Sequence, residues 1–496
     1  MEQNNINKKA GKAVKWSFIT EMASKIVMPV VNMVLARLLT PEAFGAVATI
    51  NLVVTFAEIF TDAGFQKYIV QHEFESEEEK DRSTNVAFWT NTLVSLVFII
   101  AIVIARNPLA ALVGSPKLGN AIALSSLNIL IVTFCSTQTA IHRRNMDFKK
   151  LFYAKMCTLF IPAVVTVPLA FFLRSYWALL IGTMATNLVN AIALASLSKW
   201  RPSFSFDCVA FKNMFSFSMW ILADAVLVWL TSYIGTFIVG RYLDDYHLGL
   251  YKTSISTVNT ITSLFSSSIA PVMFSNLSRC QNDDAQMKKT FYTYQRLAGA
   301  ALIPLGVGMF LYRDLLRAIL LGDQWVDATE FLGIWGFLSS ITIIFSNFCS
   351  TYYRSAGKPK LSMISQVIYL CVLIPALFFS VKISFRALYY ARSLATVFAV
   401  ILSFIIMRIV FKFKIHQTIF NVLPIVISSL FMGAVALGLQ QLGSSLVWQI
   451  ISVLICIVAY FTFLLFFFPK IRKELLNTFK VKSMLNRLLP KHKKTN

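Results

Sequence analysis

The chain has 496 residues, 57% of them hydrophobic and 14% charged, with a formal net charge of +23. Apolar runs long enough to cross a ~30 Å hydrocarbon core recur along its length, which excludes a soluble domain of useful size. The surplus of Lys and Arg does not point to nucleic acid either. About 31 fall in the N-terminus, the even-numbered connectors and the tail, against about 9 in the other connectors, the asymmetry of cytoplasmic versus external loops. Both termini are therefore expected in the cytoplasm.

Hydropathy places about fourteen spans, at roughly 15–38, 46–69, 85–105, 119–140, 151–173, 176–197, 212–240, 248–274, 290–312, 328–352, 361–381, 386–408, 418–440 and 446–468. The basic N-terminus runs into the first span without a small-residue cleavage site, so it reads as a retained span and not a cleaved signal. That span carries Glu21, Lys25 and Asn32 at spacings of four and seven; the second carries Asn51, Thr55, Glu58, Asp62 and Gln66. Such spacings stack side chains on one helical face. A charge at mid-bilayer costs roughly 2.5–3.5 kcal/mol, so four of them facing lipid would cost on the order of 10 kcal/mol. The stripes are expected to face a shared aqueous interior, which is the mark of a transporter.

The connector after span two holds Glu75, Glu77, Glu78 and Glu79, read as a solvated loop; residues 143–150 form a basic connector. An internal repeat is also visible. Arg37-Leu-Leu39-Thr-Pro-Glu-Ala-Phe44-Gly45 follows span one and Arg241-Tyr-Leu243-Asp-Asp-Tyr-His-Leu248-Gly249 follows span seven, at an offset of 204 that also relates Trp16 to Trp220. Six spans separate the copies, so the halves would point the same way about an axis along the membrane normal, with a site between them. Span eight mirrors the polar faces with Lys252, Ser256, Asn259, Ser263 and Ser267, and span seven offers Trp220, Asp224 and Thr231. Interhelical hydrogen bonding is the competing reading of the Ser, Thr and Asn faces. Lys67 and Lys155 lie near span ends and are read as snorkelling, whereas Arg296 and Arg392 sit inside spans nine and twelve.

Lys25 and Lys252, one from each half, suit an anionic group such as a diphosphate. Glu58, Asp62 and Asp224 suit a proton or sodium ion that drives a cycle. The tail beyond Lys470 mixes basic residues with Leu and Phe, a pattern that suits a helix lying on an anionic inner leaflet, but topology anchoring is the simpler and preferred reading. Seven cysteines form no CxxC pair and five histidines show no ligand spacing, so neither disulfides nor a metal nor another cofactor is expected. GxxxxGK[ST] and HExxH are absent, which argues against an ATP motor or a metalloprotease.

The segment Ala36-Arg-Leu-Leu-Thr-Pro-Glu-Ala-Phe-Gly45 is followed in order by Asp62-Ala-Gly-Phe65, Arg143-Arg-Asn-Met-Asp-Phe148, Trp200-Arg-Pro202 with Phe215-Ser-Phe217, Gly240-Arg241 through Leu248-Gly-Leu-Tyr251, Gly322-Asp-Gln-Trp325 and Ala356-Gly-Lys358. This ordered set resembles polysaccharide (O-antigen type) flippases of the multidrug/oligosaccharidyl-lipid/polysaccharide exporter superfamily. The resemblance implies an all-α integral membrane protein with two six-helix lobes, residues 1–205 and 206–410. Two further helices over 411–470 and a basic cytoplasmic tail over 471–496 would follow. A central cavity lined by spans one, two, seven and eight is implied, with Glu21, Lys25, Asn32, Lys252, Asn259 and Arg296 as substrate-binding candidates. Glu58, Asp62 and Asp224 are the ion-coupling candidates.

The implied activity is transport, not catalysis. A polyprenyl-diphosphate-linked oligosaccharide would cross the cytoplasmic membrane of a bacterium or archaeon by alternating access. Membrane lipid, and the polysaccharide polymerase and glycosyltransferases of the same pathway, are the candidate partners; nucleic acid is not. Related flippases contact the diphosphate through basic residues, often arginine. Here the candidates are lysines, which supply a point charge in place of a bidentate fork. Arg37 and Arg241 match the family signature at external span ends, where they are candidates for lobe architecture. The alternative is a cation-coupled drug antiporter of the same superfamily, expected to have an acidic and aromatic cavity. A membrane glycosyltransferase or polymerase would need a sizeable external loop, which the spans leave no room for.

Overall fold

The computed structural model describes residues 2–62, 64–204, 206–469 and 471–472. Every regular element among them is helical. In chain order the long helices are α1 (Glu2–Leu38), α2 (Pro41–Asp62), α3 (Glu77–Ile104), α4 (Gly119–Arg144), α5 (Phe148–Leu173), α6 (Tyr176–Leu197), α7 (Cys208–Tyr242), α8 (Asp245–Arg279), α9 (Asp284–Leu311), α10 (Asp323–Ser355, with a 3-10 first turn), α11 (Pro359–Val381), α12 (Phe385–Phe411), α13 (Leu423–Leu442) and α14 (Leu446–Phe467). Thirteen helices among the described residues are long and apolar enough to span a membrane. The expected span that does not qualify is α8, whose 35 residues give ample length. Its hydropathy is diluted by the polar stripe that begins at Lys252. The predicted basic tail falls almost wholly outside the described residues.

Two compact units are formed. The first comprises the chain up to Ser254 together with Ile319–Ala328 and Leu370–Tyr389, and the second comprises the rest of the described chain. In the first unit, α4 packs against α2, α3 and α6, and α1 packs against α5. Its core holds Ile50, Val54, Ile99, Ile122, Ile129 and Leu180. Polar side chains pair across the helices inside: Ser95 meets Thr133 at 2.7 Å and Asn187 donates to Asn128 at 3.0 Å. Large apolar residues point outward instead, as on α3 where Leu93, Val97, Ile100 and Ile104 are all exposed. Apolar residues outside and polar pairs inside are what a hydrocarbon solvent selects. In the second unit, α9 packs against α10 and α13, and α13 against α14. Gly306 and Gly336 allow the close approach of α9 and α10: a Cβ at either would lie within 2.9 Å of Ser340 or Met309.

Two local expectations change. The polar stripe of the second span does not run on to Gln66. Gly64 adopts φ 82°, a left-handed conformation that ends α2, and Gln66 sits on a separate short helix, Phe65–Gln71. There its amide donates to the Ser136 carbonyl at 2.9 Å. The acidic run is likewise not all loop, because Glu77, Glu78 and Glu79 form the first turn of α3. Ser76 accepts from the Glu79 N–H at 3.1 Å, and the Glu79 carboxylate accepts from the Glu75 N–H at 2.7 Å. Three carboxylates also complement the positive end of the helix dipole.

Candidate functional site

In the first unit α2, α7 and α8 bring a hydroxyl, two aromatic rings and a lysine into one row. Gly235 sets the closeness of α7 and α8, since a Cβ there would lie 2.0 Å from the Tyr251 hydroxyl. One turn of helix places Trp229 and Tyr233 on the same face of α7, where their rings stack with centroids 5.4 Å apart. The Trp229 indole N–H donates to Thr55 Oγ1 at 3.1 Å, and Phe56 lies 4.9 Å from the indole. At the other end the Lys252 ammonium sits 4.1 Å over the Tyr233 ring. That geometry is a cation–π contact, worth about 0.5–2 kcal/mol. The row ends in a lysine whose ammonium lies over an aromatic face. Aromatic faces offer platforms for the apolar faces of sugar rings, and an ammonium suits phosphate oxygens.

The structure positions the remaining predicted residues as follows. On α1, Glu21 and Asn32 are exposed and Lys25 is half-buried. Glu58 is half-buried on α2, sharing a face with Asn51 and Thr55. Asp62 closes the last turn of α2, and its side chain lies outside the described residues. Asp224 is exposed on α7. In the second unit, Asn259 is exposed on α8, and Arg296 donates to the Asn421 side chain and, at 3.5 Å, to Thr293 Oγ1. Asn421 in turn donates to the Tyr292 carbonyl at 2.9 Å. Thus Thr55 and Lys252 meet through the two rings. Trp229 and Tyr233 carry no distinguishing signal in the sequence, where aromatic residues within spans are common.

The two copies of the repeat touch each other within this unit. A Cβ on Gly45 would fall 1.8 Å from the Asp245 carbonyl oxygen, and one on Gly249 would fall 1.8 Å from that of Pro41. Both pairs are related by the offset of 204, so the contact is self-complementary, as a two-fold axis requires. Ser115 donates to Asp245 Oδ1 at 2.6 Å. Across the pseudo-axis, the Gly322-Asp-Gln-Trp325 motif caps the end of α1. Gln324 donates to the Leu39 carbonyl at 2.6 Å and the Trp325 indole to that of Ala36 at 2.9 Å. Arg37 donates to the Ile319 carbonyl at 2.9 Å.

The second unit holds a groove of about 760 Å³ along α8, α9 and α14. Arg279, Lys289 and Asn276 line one part of it, and Phe265, Val272 and Leu297 another. Such an amphiphilic lining accepts a molecule with a polar head and an apolar tail.

Among solved structures, the chain resembles that of lipid II flippase MurJ in an inward closed conformation. The match has a TM-score of 0.73 and 17% identity, and covers 91% of this chain and 98% of the other. The chain therefore shares the fold of that flippase. The polysaccharide biosynthesis protein family matches residues 34–330, and the chain belongs to that family. A succinoglycan biosynthesis transport protein, ExoT of Rhizobium meliloti, is 24% identical over 70% of this chain and 69% of its own length. The lipopolysaccharide biosynthesis protein WzxC of Escherichia coli is 20% identical over 68% of this chain and 69% of its own.

Proposed function

We propose that this protein flips a polyprenyl-diphosphate-linked oligosaccharide across the cytoplasmic membrane, by alternating access, for export of a surface polysaccharide. The observation that carries this reading is the row Thr55–Trp229–Tyr233–Lys252, in a chain of the polysaccharide biosynthesis family. A sugar-diphosphate head cannot enter hydrocarbon, and this row offers ring platforms for sugars beside a cation for phosphate. The polyprenyl tail stays in lipid or lies in a groove such as the one along α8, α9 and α14. Lys25 joins Lys252 as a second diphosphate contact. Glu58, Asp62 and Asp224 hold the coupling proton or sodium ion. Residues 1–205 and 206–410 act as lobes that rock about the repeat axis, with both termini in the cytoplasm. The interlocked Gly45 and Gly249 turns mark an end of the path that must part and re-form in each cycle. The row favours a carried anion over the cationic cargo of a drug antiporter, because its charged end is a lysine.

The test is a leaflet-resolved flipping assay in proteoliposomes with labelled lipid-linked sugar, run beside surface-polysaccharide measurement in cells. Lys25→Ala and Lys252→Ala are expected to abolish both signals with the protein still in the membrane, and Tyr233→Leu to weaken them. Normal polymer in both lysine variants would remove the diphosphate contacts. Absence of flipping by the wild-type protein would remove the function.

A further inference from the structure

Two signature motifs that the transport reading leaves unused, around Arg143–Arg144 and around Trp200, converge on one cavity in the first unit. It measures about 320 Å³ and is lined by Lys80, His142, Arg144, Lys150, Lys199 and Trp200 among others. Its carboxylates are Asp81 and Asp147, so the lining carries four cations against two acids. Arg144 is held rigidly: it donates to the Ile69 carbonyl at 2.7 Å and the His72 carbonyl at 2.5 Å, over the Phe74 ring at 4.4 Å. Both of those bonds use one terminal nitrogen, which leaves the other guanidinium donors uncommitted among the described residues. Lys150 lies 3.5 Å from Asp147, and Lys80 pairs with the exposed Glu77 outside the cavity.

His142 is what topology alone does not account for. Basic residues at a span end anchor orientation and need no cavity. This imidazole, however, is 2% exposed, and neither ring nitrogen has a hydrogen-bond partner. The Leu194 carbonyl faces it but does not reach hydrogen-bond geometry. Buried polar groups are nearly always satisfied, so an unpaired imidazole at the wall of a cationic cavity marks a ligand position. Its chemistry specifies the ligand. A planar guanidinium, three lysine ammonium groups and an imidazole line one space, a donor set that suits the oxygens of a phosphate group.

We propose that this cavity binds a phosphate ester, with Arg144 and Lys199 on the phosphate oxygens and His142 donating from the buried wall. The site holds the turn between α4 and α5 to the starts of α3 and of the segment after α6, apart from the transport row. The phosphate can belong to a lipid headgroup or to a free solute, and the experiment separates them.

Full-length protein in neutral detergent is titrated with inorganic phosphate or pyrophosphate against chloride of matched ionic strength. In a second arm it is titrated with phosphatidylglycerol against phosphatidylcholine in mixed micelles. Thermal unfolding is the readout in both. Wild type is expected to gain unfolding temperature with one phosphate series and not with its control. Lys199→Glu and His142→Gln are expected to bind at least about tenfold more weakly, the loss of one charge-assisted bond. Protection by phosphate or pyrophosphate assigns a solute; protection by phosphatidylglycerol alone assigns a headgroup. No protection in either series, or equal protection in wild type and both variants, overturns the site. Lys199 is exposed, so its replacement does not threaten folding. Because transport is not measured, failure here leaves the flippase reading standing, and the reverse.

Discussion

Asp244 shows how much one side chain does at a helix start. Its carboxylate accepts from the His247 N–H at 2.9 Å and from the ring Nδ1 at 2.6 Å, capping α8. Partial burial pushes its pKa up, but the His247 backbone and ring prevail and hold it below the usual 3.8. A depressed carboxylate adds stability above 3.8, which is lost as pH falls through the lowered value. The side chain is well exposed, so solvent screening keeps the ionic part small. Asp244→Ala is expected to cost about 1 kcal/mol, and Asp244→Asn, which still caps, much less. Melting curves at neutral and acidic pH check the sign: wild type should lose stability relative to Asp244→Asn as pH drops below 3.8. An unchanged difference would mean that the cap, and not the charge, is all that matters. The residue-scale stripes were readable because charge in a span is costly. Trp229 and Tyr233 were not, because aromatic residues in spans are common.

At the scale of elements, the end of α1 depends on the 3-10 start of α10, nearly three hundred residues away. The last carbonyls of any helix lack partners within it. Here Gln324 and Trp325 supply two of them, and Trp325 is fully buried, packing edge-on against Phe44 at 5.3 Å. Gln324→Ala should destabilise by about 1 kcal/mol or more, since it removes the donor to the Leu39 carbonyl, and Trp325→Phe should cost less, because Gln324 also donates to the Ala36 carbonyl. Exposed Val326→Ala should be close to neutral. Equal unfolding midpoints for all three variants would refute the capping role. The motif was legible as a signature, but its role was not, since no local pattern says which helix end a loop will reach. The same scale explains α8. Its polar stripe lowers its hydropathy below the level of the thirteen apolar helices, yet the stripe is what a helix beside water requires.

At the scale of the molecule, the repeat read from a short string of matching residues becomes a physical contact. Gly45 and Gly249 press against Asp245 and Pro41 with no room for a methyl group. Gly45→Ala and Gly249→Ala are each expected to cost about 1–3 kcal/mol through overpacking. Because one small separation of α2 and α8 would relieve both clashes, the double variant should cost clearly less than the two together. Full additivity in thermal unfolding would show that the two turns are not one interlock.

Composition alone determined the solvent. A chain this apolar folds in lipid, and lipid admits only helices or closed barrels, so helical class and approximate span number followed from the residues. The repeat followed as well, since its two copies are local strings. Only the tertiary structure decided which residues meet: Lys252 over Tyr233, Gly45 against Asp245, Trp325 under α1, His142 in a cationic cavity. Periodicity reports which face of a helix is polar, but partner choice depends on helix crossings, which small residues and loop caps set across long stretches of chain.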